Sequence, residues 1–113
     1  MHIKEFSTRV VAFKLAAALE KYEMDLRALA ETWADPVLWR RLQDEFGELR
    51  ILGASLPKLS VNWVAVLVSR ARLLQALCTR AALGSELQEH LRAVESLRDR
   101  CVRAMGLPGG APA

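Results

Sequence analysis

Two pairings of side chains in this chain have the residue types that chemistry uses. Cys78 and His90 fall at one level if the segments on either side of Gly84 fold back on each other, and a thiol beside an imidazole is a nucleophile with its base. Arg70 and Arg98 fall at another common level by the same rule, and two guanidinium forks could grip a carboxylate or phosphate in bidentate fashion.

Neither pairing amounts to a reaction. Cys78 projects toward the apolar side of its segment, His90 sits at the edge of its stripe, and no third group orients the pair. A buried thiol beside a boundary histidine is the simpler reading. His2 is at a terminus. The sequence has no glycine-rich phosphate loop, no HExxH, no GxSxG and no DxDxDG calcium loop. Its two cysteines, Cys78 and Cys101, lack the spacing of a zinc site or a disulfide scaffold. The GLPGG near the end follows the last periodic segment and reads as tail. No catalytic residue, metal ligand or cofactor site is assigned, and the chain is not expected to be an enzyme.

The elements that would position these residues are helices. Residues 7–33 are apolar at helical spacing without glycine or proline, and Asp35 with Pro36 forms an N-cap and first position for a second helix reaching about residue 52. Gly53 offers a left-handed C-terminal cap, and Ser60 caps a third helix running to residue 83. Gly84 and Ser85 punctuate the chain, and SELQ has capping-box form, with Ser85 at the cap and Gln88 reaching back, so the fourth helix begins at 86 and ends near 105. The run VNWVAVLV has strand-like composition, but no second strand exists for it to pair with. The fold expected is an all-α four-helix bundle with a long central third helix and an antiparallel hairpin of the third and fourth helices. One domain spans 1–105, followed by a flexible tail over 106–113.

Projection at about 100° per residue locates the faces. On the third helix Trp63, Val64, Leu67, Ala71, Leu74, Cys78 and Ala81, together with Val66, Leu73 and Leu77, make a wide apolar arc that must be covered on more than one side, while Asn62, Ser69, Arg72 and Arg80 form the polar side. The fourth helix has a narrower stripe of Leu87, Leu91, Val94, Leu97, Cys101 and Met105. Pairing positions equidistant from Gly84 matches apolar with apolar everywhere except where Arg70 meets Arg98. A carboxylate from the first helix, among Glu20, Glu23, Asp25 and Glu31, is the expected partner of one of them. Snorkelling to water and an external anion are the alternatives.

The first helix carries two stripes. Phe6, Val10, Phe13 and Ala17 lie on one side, and Leu15, Leu19, Tyr22, Leu26, Leu29 and Trp33 lie about half a turn around. A straight helix cannot press both against one core, so the first stripe is expected to meet another chain, most simply a second copy in a homodimer. Trp39, beside Arg40 at the edge of the second helix's stripe, is a further candidate contact. The function expected is therefore protein interaction, by a dimeric adaptor, chaperone-like subunit or regulator.

Charge supports a second expectation. The chain has a net charge of +3, with 8 basic and 9 acidic residues over 1–57 and 8 basic and 4 acidic over 58–113. Arg72, Arg80, Arg92, Arg100 and Arg103 could follow a phosphate backbone, but Glu89, Glu95 and Asp99 interleave with them. A nucleic-acid-associated regulator is thus the alternative. The N-terminus lacks the apolar core of a signal peptide, and the longest uncharged run before the tail, residues 59–69, is short of the ~20 residues a bilayer crossing needs. A cytoplasmic protein without a membrane segment is expected. Its 12 arginines against 4 lysines suit a GC-rich bacterial genome, through codon usage rather than physics.

Overall fold

The computed structural model describes residues 2–32, 35–79 and 84–106, with side chains from Ser7 onward. Four α-helices follow in order: α1 (His2–Thr32), α2 (Pro36–Ala54), α3 (Ser60–Cys78) and α4 (Gly84–Ala104), with a 3₁₀ turn at Pro57–Leu59 leading into α3. No strand occurs among the described residues. The chain is an all-α four-helix bundle.

Each reversal of direction is visible in side-chain pairs. Asp25 meets Arg41 and Lys21 meets Glu45, equal and opposite steps along α1 and α2. Gly53 meets Trp63, and Phe46 meets Arg70, which makes α2 and α3 antiparallel in turn. Asn62 meets Ser96, Ser69 meets His90 and Arg72 meets Glu89, so α3 and α4 form the expected antiparallel hairpin. Three reversals leave α4 antiparallel to α1. The helices form a ring in which α1 packs on α2 and α4 and α4 packs on α3. Helices α1 and α3 stand on a diagonal, their backbones apart, and meet through the side chains of Tyr22 and Arg70.

Within this class the weight sits differently from the expectation. The longest helix is α1, with 31 residues, against 19 for α3. The most extensive seam joins α1 to α4. The third helix stops at Cys78, where the Thr79 hydroxyl donates to the Gln75 and Ala76 carbonyls, and residues 80–83 lie outside the described residues. The midpoints of the three α3/α4 pairs consequently fall between 79 and 81, several residues before Gly84. That shift separates Arg70 from Arg98.

The caps differ in detail. Asp35 Oδ1 accepts from the Val37 and Leu38 amides at 2.9 and 3.4 Å, and Pro36 opens α2, as the sequence implies. Gly53 is not a cap but an interior residue of α2. The Trp63 ring packs against it, and a Cβ there would meet that ring in ordinary contact at 3.4 Å. The 3₁₀ turn runs straight into α3, so Ser60 makes no side-chain cap bond. Ser85 lies inside α4 and donates to Glu86 rather than closing a capping box with Gln88. Gly106, at φ +82°, is the left-handed residue that ends α4, its amide donating to the Arg103 carbonyl. The remaining tail, 107–113, lies outside the described residues.

Candidate interaction surfaces and the polar centre

Leu15, Leu19, Tyr22, Leu26 and Leu29 of α1 are buried together with Leu42, Phe46 and Leu49 of α2 and Leu91, Val94 and Leu97 of α4. The helix is continuous from end to end, so its second stripe is left outside the core. Phe13 is 64% exposed, Met24 67%, Ala17 is exposed and Val10 half-buried. The side chain of Phe6 and all of Trp33 lie outside the described residues. No described α1 side chain before Ala12 is buried, because position 12 is level with the end of α2 in the register set by Asp25–Arg41 and Lys21–Glu45. The start of α1 projects past the bundle.

Orientation of α3 is the main departure from the sequence reading. Its buried residues are Val66, Ser69, Leu73 and Ala76. Val64, Ala71 and Cys78, read as core, are exposed, as is Leu67; Ser69, read as outward, is buried. The helix is turned so that Ser69, and in part Asn62, of its supposed outside face in, while Arg72 stays exposed. His90 supplies the reason. It too is fully buried, in the centre of the bundle and not at an edge. Its Nδ1 lies 2.7 Å from Ser69 Oγ and its Nε2 2.8 Å from the Tyr22 hydroxyl. The Ser69 hydroxyl donates to the Val66 carbonyl, so its oxygen accepts from Nδ1–H, which leaves Nε2 to accept from Tyr22. Each polar atom of the imidazole is satisfied only at this rotation of α3.

This centre is built for neutrality. Burial, reinforced by the Arg70 charge, lowers the His90 pKa to about 4, and burial pushes the Tyr22 phenol above its ordinary range. A serine whose proton goes to a carbonyl, and whose oxygen accepts from imidazole, is oriented opposite to an activated nucleophile. Cys78 takes no part. It is exposed and remote from this cluster, while Cys101 is buried and its thiol is pushed up to about 11 by burial.

The two core arginines have separate fates. Arg98 pairs with Glu23 of α1, a buried carboxylate whose other oxygen accepts from Arg27 at 2.9 Å. Arg27 also reaches Glu95 at 2.8 Å, which ties α1 to α4. Arg70 instead sits over the Phe46 ring, 4.2 Å from its centroid, beside a stack that continues to Trp63, and it also hydrogen-bonds the Tyr22 oxygen. It enters no ion pair among the described residues. The cleft beside it, lined by Trp39, Gln43 and Leu74, admits little more than one water.

Of the remaining candidates, Trp39 is half-buried in that cleft and is not brought next to the α1 outer stripe. Arg72 is held by Glu89 at 2.7 Å. Arg92, Arg100 and Arg103 are exposed on α4, and Arg80 lies outside the described residues. The sequence reading does not identify Glu45, buried on α2, whose oxygens find no donor while it is ionised but which, protonated, can donate to Asp25. Burial and the adjacent Asp25 raise its pKa to about 7, against Lys21 at 4.0 Å. Burial also opposes ionisation of Asp25, but a hydrogen bond from protonated Glu45 and the Arg41 pair outweigh it and hold that carboxyl below its ordinary value. The apolar length of Pro57–Cys78 was also underestimated. By length and composition it is sufficient to cross a membrane, with 22% of its most apolar window buried in the bundle. The chain matches no family model, no curated protein and no solved structure.

Proposed function

We propose that this chain is a protein-interaction module that associates with a second copy of itself through the outer stripe of α1. The observation that carries this reading is one uninterrupted helix with a buried stripe on one side and Val10, Phe13, Ala17 and Met24 on the other. Their spacing of three, four and seven follows the heptad steps by which helices pair. At 1.5 Å per residue, 31 residues give a seam of ~46 Å; at ~10 Å wide this is roughly 460 Å², half as much again as α3 offers, and flanking side chains must join it to reach the ~800 Å² per partner of a stable interface. Projection of α1 past Ala12 adds surface that its own bundle leaves open.

Light scattering tests it. The dimer has twice the 12.6 kDa of the chain, and Phe13→Glu with Met24→Glu returns it to the single-chain mass. A wild-type protein that stays at the single-chain mass at all concentrations ends this reading. A second reading, contact with nucleic acid, draws on Arg92, Arg100 and Arg103, which are exposed and in no ion pair among the described residues. Arg72 no longer contributes, since Glu89 neutralises it. Filter binding to duplex DNA decides it, and absence of retention at low salt removes it.

A further inference from the structure

Most helices on the surface of a soluble domain bury their apolar side. Helix α3 buries Val66, Leu73 and Ala76 but leaves a second apolar side outside. Ser69 and Arg70 face inward or along the α2 seam, and Val61, Val64, Ala65, Leu67, Val68 and Ala71 face out. Val61 is 81% exposed and Val64 54%. No charged residue occurs over 59–69; Arg72, on the same face one turn past Val68 and paired with Glu89, ends the uncharged strip.

Unpaired basic residues lie near the strip. Residues 49–85 contain five basic side chains and no acidic one. Arg50 lies between Phe46 and Gly53, the α2 residues that meet α3, and Lys58 sits in the turn that starts α3. Arg100 is one helical turn beyond Ser96, which meets Asn62. All three are exposed and enter no ion pair among the described residues. The acidic residue placed on α3 from α4 is Glu89, and Arg72 holds it.

Size selects among occupants. One convex helix face of 19 residues is ~28 Å long and ~10 Å wide, roughly 300 Å², well below the ~800 Å² each partner gives to a stable protein interface. An amphipathic helix in a bilayer interface needs only its own apolar face, sunk ~5–10 Å to the headgroup boundary, and cations at its rim for anionic lipid. We propose that α3 is a membrane-surface helix, its valines and Leu67 entering the interface of an anionic bilayer while Arg50, Lys58 and Arg100 meet the headgroup phosphates. Because α1 and α3 stand on a diagonal, this contact leaves the outer stripe of α1 turned away from the bilayer. The inference does not depend on the α1 reading.

Flotation of the full chain with phosphatidylcholine vesicles, and with vesicles containing phosphatidylglycerol as well, tests it. The protein floats with the anionic vesicles and not with the neutral ones, and added salt weakens the binding. Val61→Glu with Val64→Glu loses it by roughly tenfold or more at unchanged circular dichroism, and Lys58→Glu with Arg100→Glu does the same through charge alone. Phe13→Glu with Met24→Glu floats like wild type, which separates this contact from the α1 seam. The proposal is overturned by no flotation on anionic vesicles, by undiminished flotation of both α3-rim variants, or by equal loss in the α1 variant. A fall in solution mass on Val61→Glu with Val64→Glu also overturns it, since a second copy would then be what covers the strip.

Discussion

Helices α1 and α3 stand at opposite corners of the bundle and resolve the same difficulty in opposite ways. Each has more apolar surface than one core can take. The longer helix buries its more apolar stripe, five large residues from Leu15 to Leu29, and leaves outside a sparser row punctuated by Glu20. The shorter one buries Val66 and Leu73 with a serine, and leaves outside a second apolar side. Burial of oil decides the rotation of α1; satisfaction of hydrogen bonds decides that of α3. An unpaired imidazole or hydroxyl in the interior costs ~1–3 kcal/mol, comparable with the gain from burying one more valine.

Substitutions that weigh the two helices against each other give graded outcomes. Leu19→Ala in α1 is expected to cost about 3–5 kcal/mol in denaturant unfolding, because the site is closed on all sides. Acid comes next. His90 titrates at about 4 in the folded chain against 6.5 when free, so its contribution is complete above pH 6.5 and is lost as pH falls toward 4, by about 3 kcal/mol in all. Unfolding curves of His90→Gln are expected to lack that slope; an unchanged slope would mean that α3 is not held by a neutral imidazole.

Glu45 has the opposite sign. Its folded pKa of about 7 lies above the ordinary 4.5, so the folded state is favoured at low pH and loses stability as pH rises through 7. Glu45→Gln is expected to be about 1–2 kcal/mol more stable than wild type at pH 8 and nearly equal to it at pH 5. Arg72→Ala, which breaks the exposed pair with Glu89, is expected to cost at most about 1 kcal/mol. Smallest of all is Val64→Ala on the α3 strip, within about 0.5 kcal/mol of wild type in the monomer. A loss as large as that of Leu19→Ala there would show that the strip is covered in solution.

Legibility in the sequence followed the strength of the local signal. The Asp35–Pro36 start of α2 could be read because a carboxylate cap and a fixed proline φ act within a few residues. The two stripes of α1 could be read because each repeats over several turns. That Arg98 would take a carboxylate from α1 followed from chain-wide charge, whereas the choice of Glu23 over its neighbours depended on the rotation of two helices. Gly53 looked like a stop because its actual contact, the Trp63 ring, comes from a residue ten positions away. The α3 arc was too wide to fix a rotation, and Ser69 was placed outside on its own polarity.

By itself the sequence determined that there are four helices, where α2 begins, and that α1 has two apolar sides, since these depend on periodicity and on contacts within a turn. Tertiary structure alone decided which side of α3 is inside, that His90 is central, and that Arg70 lies on an aromatic ring while Arg98 lies on a carboxylate. The physical reason is that a buried polar group accepts whatever rotation completes its hydrogen bonds, and its partners come from other helices.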